Sequence, residues 1–278
     1  MLLAPALAIL TGLRLIPMFD AIRLSFTKWD GFSSPQWIGL DNFTRLVHDD
    51  RFTSALVHNL EILLALPVWI ILPYAVAYVL HSRVPGWRVF RFAFFLPTAL
   101  SPAVIGVYYG IVLQPQGPFN DLLRSVSLGG VTRAWLNDPA TALPIVIAII
   151  IWSTFGVGVV IFLSGLGNLD QEQIDAARVD GANGWQVQRH VIFWQMLPVF
   201  EFWSIIMMIA SFTAFFPLIY SLTNGGPGYS TYTVDFDLYQ EAFSNGNLGY
   251  ASAIGVALLL IMAITGLLQL RLLRGRMR

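Results

Sequence analysis

The chain has 278 residues, of which 56% are hydrophobic and only 12% charged, about half the charged share of a typical soluble domain. Formal net charge is zero, and so few charges cannot solvate a soluble protein of this size, which excludes a disordered chain, a nucleic-acid binder and an ordinary soluble enzyme. With no cysteine, four dispersed histidines and a single lysine, Lys28, that follows no glycine-rich run, the chain carries no disulfide, no recognisable metal motif and no P-loop.

An all-α polytopic membrane protein fits this composition, and the whole chain, residues 1–278, reads as a single transmembrane domain. A bilayer span takes about 20 mostly apolar residues. Six stretches qualify, at roughly 2–26, 55–80, 92–113, 140–163, 199–222 and 250–270. The first has no basic start and no small-residue cleavage site, so it reads as a span, not a signal peptide. It carries Arg14, Asp20 and Arg23, of which Asp20 and Arg23 are spaced to pair. A polar segment follows, with turn signals at Asp30-Gly31 and Ser34-Pro35. The second span holds Glu61, Pro67 and Pro73; the third holds Pro97 and Pro102. Prolines of this kind are tolerated where neighbouring helices satisfy the freed backbone groups. Gly106, Gly110, Gly156, Gly158, Gly165 and Gly255 are expected at helix–helix contacts.

If a solute crosses between the spans, Trp152, Ser153 and Phe155 on the fourth span and Met208, Ser211, Phe212 and Phe215 on the fifth are the substrate-binding candidates, since aromatic faces and hydroxyls can contact it; helix packing is the competing reading. Nine arginines (Arg83, Arg88, Arg91, Arg178, Arg189, Arg271, Arg274, Arg276, Arg278) fall on one side of the six-span arrangement and five basic residues (Lys28, Arg45, Arg51, Arg124, Arg133) on the other. By the positive-inside rule, both termini and the connector 168–198 are cytoplasmic.

That connector is the most informative segment. Asp170 and Gln173 have capping-box spacing, so a helix is expected to start there. Asp170, Glu172 and Asp175 lie toward its start and Arg178 toward its end, in keeping with the helix dipole. Gly181 is placed to end it in the left-handed region, and a second short helix is expected from about Trp185, with Ile174, Ala177 and Trp185 available to pack.

The run Ile-Asp-Ala-Ala-Arg-Val-Asp-Gly-Ala at 174–182 resembles the EAA signature of bacterial ABC importer permeases. Asp175-Ala176-Ala177 and Asp180-Gly181-Ala182 match it in type and spacing, ahead of the penultimate span. Four further elements resemble carbohydrate permeases of the maltose and glycerol-phosphate type, in chain order: Trp37-Ile38-Gly39-Leu40-Asp41-Asn42-Phe43, Phe94-Phe95-Leu96-Pro97, Leu222-Thr223-Asn224-Gly225-Gly226-Pro227, and Leu248-Gly249-Tyr250-Ala251-Ser252-Ala253. Asp175 stands where the family has Glu, Gln188 where an aromatic is usual, and Phe193-Trp194 where Leu-Pro is expected, while Pro198 fits the later proline.

The resemblance implies a six-helix permease in the bacterial inner membrane. It works with a second, related permease, two ATPase subunits and an extracytoplasmic binding protein that delivers a sugar or oligosaccharide. It implies that residues 175–177 and 180–182 meet an ATPase, and that ATP and Mg are held by those partners. On that resemblance the chain itself is expected to hold no cofactor and no catalytic residue. A glycerol-phosphate compound is the alternative cargo. An ion-coupled secondary transporter would need a charged relay, for which only Arg14 and Glu61 offer a hint. A membrane enzyme would need converging carboxylates or histidines, and no such set stands out.

Overall fold

The computed structural model describes residues 4–82 and 85–274, with only the backbone described at 270 and 272–274. Arg83, Arg276 and Arg278 of the charge asymmetry lie outside the described residues. Five helices are long and apolar enough to span a bilayer: Ala4–Leu24, Asp50–His81, Pro139–Gly167, Gly184–Thr213 and Leu248–Gln269. A sixth crossing is supplied by a bent pair, Trp87–Ala99 and Pro102–Val112. Strand structure among the described residues is one short hairpin, in which Thr27–Lys28 pairs antiparallel with Gln36–Trp37.

The third span departs most from expectation. Its two halves meet at 97°. Pro97 sits in a 3-10 turn, Leu96–Ala99, and Pro102 opens the next helix. The ring of Pro102 disfavours a helical residue before it, and Ser101 is extended, at ψ 145°. The Ser101 hydroxyl then accepts from the Val104 amide and caps the new helix. The fifth span is shifted rather than matched. A continuous helix runs from Gly184 through a π turn, Gln188–Ile192, to Thr213. A break at Ala214 and Phe215 separates it from Phe216–Leu222. The expected short helix near Trp185 is thus the first turn of the span, because no breaker separates Gly184 from the apolar run.

Missing side chains allow the tightest contacts. A Cβ on Gly156 would lie 2.2 Å from the Phe94 carbonyl oxygen, and one on Gly106 would lie 2.7 Å from that of Leu218. Gly158 sits against Pro73 and Trp203 in the same way. Two polar ties cross the core. The Trp69 indole donates to Thr154 Oγ1 at 3.1 Å, and the Trp203 indole donates to the Trp69 carbonyl at 2.8 Å, joining the second, fourth and fifth spans. Asn59 donates to the Ser211 carbonyl at 2.6 Å and accepts from the Val234 amide at 2.8 Å, leaving neither end of its buried amide unpaired. The first helix, Ala4–Leu24, has no buried residue.

Candidate functional site

The helix predicted in the connector forms at Gln171–Val179. Asp170 caps it by accepting from the Glu172 amide. Gln173 does not close the capping box, however: it donates to the Asp170 carboxylate at 2.9 Å, while the Asp170 amide donates to Gln195 Oε1 at 2.8 Å. A complete box stands further on, between Asn183 and Gln186. The helix ends at Gly181, with φ +85°. The Gly181 amide donates to the Arg178 carbonyl and the Ala182 amide to the Ala177 carbonyl, the paired bonds of a Schellman ending. Ile174 and Val187 are buried beneath the turn and hold it against the start of the fifth span.

The opposite side of this turn is open. Ala176, Asp180 and Gly181 are exposed, and Ala177 and Ala182 are half-buried. Asp175 pairs with Arg178 at 3.1 Å, both side chains about two-thirds exposed. Val179 is 87% exposed and Trp185, expected to pack, is 71% exposed. The result is a rigid, hydrogen-bonded knuckle presenting two large apolar side chains and two acidic residues, Asp175 and Asp180, a composition suited to a protein partner.

The pathway candidates separate into two groups. Met208, Ser211, Phe212 and Phe215 lie within the chain's own core, Phe212 with no exposed surface. Ser211 Oγ donates to the Met208 carbonyl, and Phe215 stacks on Trp69 at 6.1 Å. These four offer no face to a solute in this conformation, and the break at Ala214 and Phe215 separates Phe212 from the helix that follows. Trp152 keeps 39% of its surface, while Ser153 and Phe155 are half-buried. Trp152 and Phe155 border a nearly all-carbon hollow of about 310 Å³ beside Phe94 and Pro97. Trp152 also meets Tyr109 edge-on at 5.4 Å, and Tyr109 meets the exposed Tyr108. Both tyrosines escape sequence reasoning, because the place of Tyr109 beside Trp152, and of Tyr108 next to it, depends on the bend of the third span.

A polar cluster at the other end of the bundle was equally unforeseen. Glu241 is fully buried and accepts from Arg51 at 2.8 Å, Asn247 at 2.9 Å and Asn245 at 3.0 Å. Arg45 reaches it at 3.5 Å and lies 3.7 Å from the centre of the Tyr250 ring. Burial pushes the Glu241 carboxyl up, but these hydrogen bonds and the arginine charge outweigh it and leave it below its usual range. Asp49 is lowered in the same way, its burial outweighed by the Tyr250 hydroxyl at 2.8 Å and the Arg51 amide. Asp237 is different. It is fully buried, neither carboxylate oxygen has a hydrogen-bond partner among the described residues, and burial pushes it up to about 6 against the pull of Arg51. Nowhere among the described residues do three or more His, Asp or Glu converge as metal ligands.

Residues 47–278 match the family described as "Binding-protein-dependent transport system inner membrane component". The chain belongs to that family. It is a multi-pass membrane permease, 33% identical to the probable ABC transporter permease YurN of Bacillus subtilis over 97% of this chain and 93% of that protein. It is 33% identical to the multiple sugar-binding transport system permease MsmF of Streptococcus mutans over 92% of this permease and 88% of MsmF. It is 29% identical to AmyD of Thermoanaerobacterium thermosulfurigenes, a probable starch degradation products permease, over 99% and 93% of the two. The fold is that of a bacterial ABC transporter involved in alginate import, with a TM-score of 0.85 at 21% identity over 99% of this permease and 94% of that chain.

Proposed function

We propose that this permease forms half of the translocation pathway of an ATP-driven importer, with a second, related permease as the other half. An extracytoplasmic binding protein delivers a sugar or oligosaccharide, and two ATPase subunits, which hold ATP and Mg, drive transport; this chain contributes no catalytic residue and no cofactor of its own. The observation that carries the reading is the exposed knuckle Asp175–Ala182, buried on one side by Ile174 and Val187 and open on the other at Val179 and Trp185. A rigid element pinned to the start of a span transmits displacement to that span, which is how closure of an ATPase pair would become rigid-body motion of the bundle.

The saccharide cargo rests on relatives named for starch degradation products and multiple sugars. Trp152, Tyr108 and Tyr109 are the aromatic surface on which it would slide, in preference to the enclosed Phe212. The bare first helix fits against the second permease. The knuckle and both termini face the cytoplasm, in keeping with the arginine distribution. The deciding experiment is uptake of a labelled maltooligosaccharide or arabinooligosaccharide series into proteoliposomes holding the assembled complex. Uptake that needs internal ATP and external binding protein supports the reading. Uptake driven by a proton or sodium gradient without ATP overturns it.

A further inference from the structure

The short helix Trp87–Phe95 leans on the fourth span close to where that span ends. Between them lies a hollow of about 380 Å³, bordered by His81, Trp87, Arg91, Val160, Leu163 and Ser164. A second hollow of about 350 Å³ shares Arg91 and Val160 and adds Arg88, Phe92 and Phe95. Among the described residues, no carboxylate lies within ion-pair distance of Arg88 or Arg91.

The depth of these groups is informative. Ser164 stands three residues before Gly167, the last residue of the fourth span. At 1.5 Å per residue it is about 4.5 Å inside the helix end, and Val160 is about 10 Å inside. The arginines therefore cap, near headgroup level, a slot whose deeper walls are carbon: Val160, Leu163, Phe92 and Phe95. Trp87 adds an aromatic ring of the kind found at bilayer interfaces, with the Arg88 guanidinium 5.5 Å from its centre. Both arginines are exposed, and at headgroup level a guanidinium can meet lipid phosphates, which accept several N–H bonds from it.

We propose that this pair of hollows is a binding site for an anionic phospholipid, with its phosphate on Arg88 and Arg91, His81 and Ser164 as further hydrogen-bonding groups, and an acyl chain along Val160, Phe92 and Phe95. The carbon walls favour a lipid over a soluble phosphate, and two arginines without an acid favour an anionic headgroup over a zwitterionic one. The site depends only on the chain spanning a membrane, so it stands or falls separately from the cargo and the coupling mechanism.

The test uses the complete permease complex in nanodiscs doped with photoactivatable phosphatidylglycerol or, in parallel, the same probe built on phosphatidylcholine. Cross-links are mapped by mass spectrometry. Phosphatidylglycerol should label peptides spanning 87–96 and 157–164 in preference to phosphatidylcholine, by about thirtyfold if both arginines contribute as basic residues do near a charged bilayer surface. The double variant Arg88→Gln with Arg91→Gln should lower labelling to the phosphatidylcholine level, while Arg124→Gln with Arg133→Gln should not. If the first double variant fails to insert, the ratio of the two probes on the unaltered protein decides. Equal labelling by both probes, labelling that maps elsewhere, labelling unchanged in the double variant, or displacement of the probe by inorganic phosphate would each overturn the proposal.

Discussion

Arg51 and Glu241 are 190 positions apart in sequence, yet their side chains meet at 2.8 Å. Glu241 is fully buried and Arg51 about one-third exposed, so the pair is unequal. Removing the arginine leaves a buried carboxylate held only by two asparagine amides and the more distant Arg45; removing the carboxylate leaves a cation that can still reach water. Arg51→Ala is therefore expected to destabilise the assembled permease by roughly 3 kcal/mol. Glu241→Gln, which keeps the hydrogen-bonding shape, should cost clearly less. Thermal unfolding of both variants in the same detergent gives the order, and a larger loss for Glu241→Gln would refute this account of the cluster.

Asp237 beside this pair makes stability depend on pH in an unusual direction. Its folded-state value of about 6 lies above the ordinary 3.8, so the folded chain holds a proton that the unfolded chain has released. Stability from this group falls as pH rises from about 4 to about 6, by at most about 3 kcal/mol, and is flat above that. Glu241 and Asp49 are lowered, so their contributions are present above the ordinary carboxylate range and are lost as pH falls through their folded values. In Asp237→Asn the decline between pH 4 and pH 6 should disappear, giving a more stable protein at pH 7.5. An unchanged slope in that interval would mean that Asp237 is ionised in the folded state.

Local signals were legible in the sequence and tertiary ones were not. Asp170, Gly181 and the first, second, fourth and sixth apolar stretches act through their immediate neighbours, and they produced the cap, turn and spans expected of them. The right angle in the third span depends on Pro97 and Pro102 acting together with the Ser101 cap, whereas either proline alone fits a kinked helix. The fifth span is apolar on every side, so its composition assigns no inward face, and Phe212 could not be told from a pathway residue. The Arg51–Glu241 pair carries no local trace at all.

Phe212 and Trp152 now separate packing from transport. Phe212→Ala empties a fully enclosed site and should cost about 3–5 kcal/mol, with uptake per folded complex close to normal. Trp152→Ala and Tyr108→Ala remove partly exposed rings, so they should cost less stability than Phe212→Ala while reducing uptake several-fold. Uptake per folded complex that collapses in Phe212→Ala alone would return that residue to the pathway.

Topology follows from labelling at the knuckle. Ala182 is half-buried on an exposed turn, and the natural chain has no cysteine to compete with a new one. Ala182→Cys should react with a membrane-impermeant maleimide in inverted vesicles and not in intact spheroplasts. Reaction in intact spheroplasts would invert the orientation proposed here.

Coupling is tested at the same turn, where each side chain has a distinguishable effect. Gly181 is left-handed, and a Cβ built there meets nothing within 4 Å inside the chain. Gly181→Leu therefore carries a backbone cost of roughly 1–2 kcal/mol and no internal clash, and its side chain points to whatever sits on the knuckle. Asp175→Lys breaks an exposed pair with Arg178 that contributes less than about 1 kcal/mol to the fold. It also reverses a charge on the open face. Val179→Asp and Trp185→Ala remove the two most exposed apolar side chains of the turn, which should weaken docking of a partner tenfold or more, by roughly the 1–2 kcal/mol typical of interface anchors. All four variants should insert and fold, since none of these side chains is buried. They should lose co-purification of the ATPase, or lose the rise in hydrolysis that loaded binding protein produces. Val179→Asp is expected to act through association, whereas Gly181→Leu can leave a bound ATPase uncoupled. Normal co-purification together with normal stimulation in all four would remove this turn from the coupling mechanism and leave the ATPase contact to be found elsewhere on the permease.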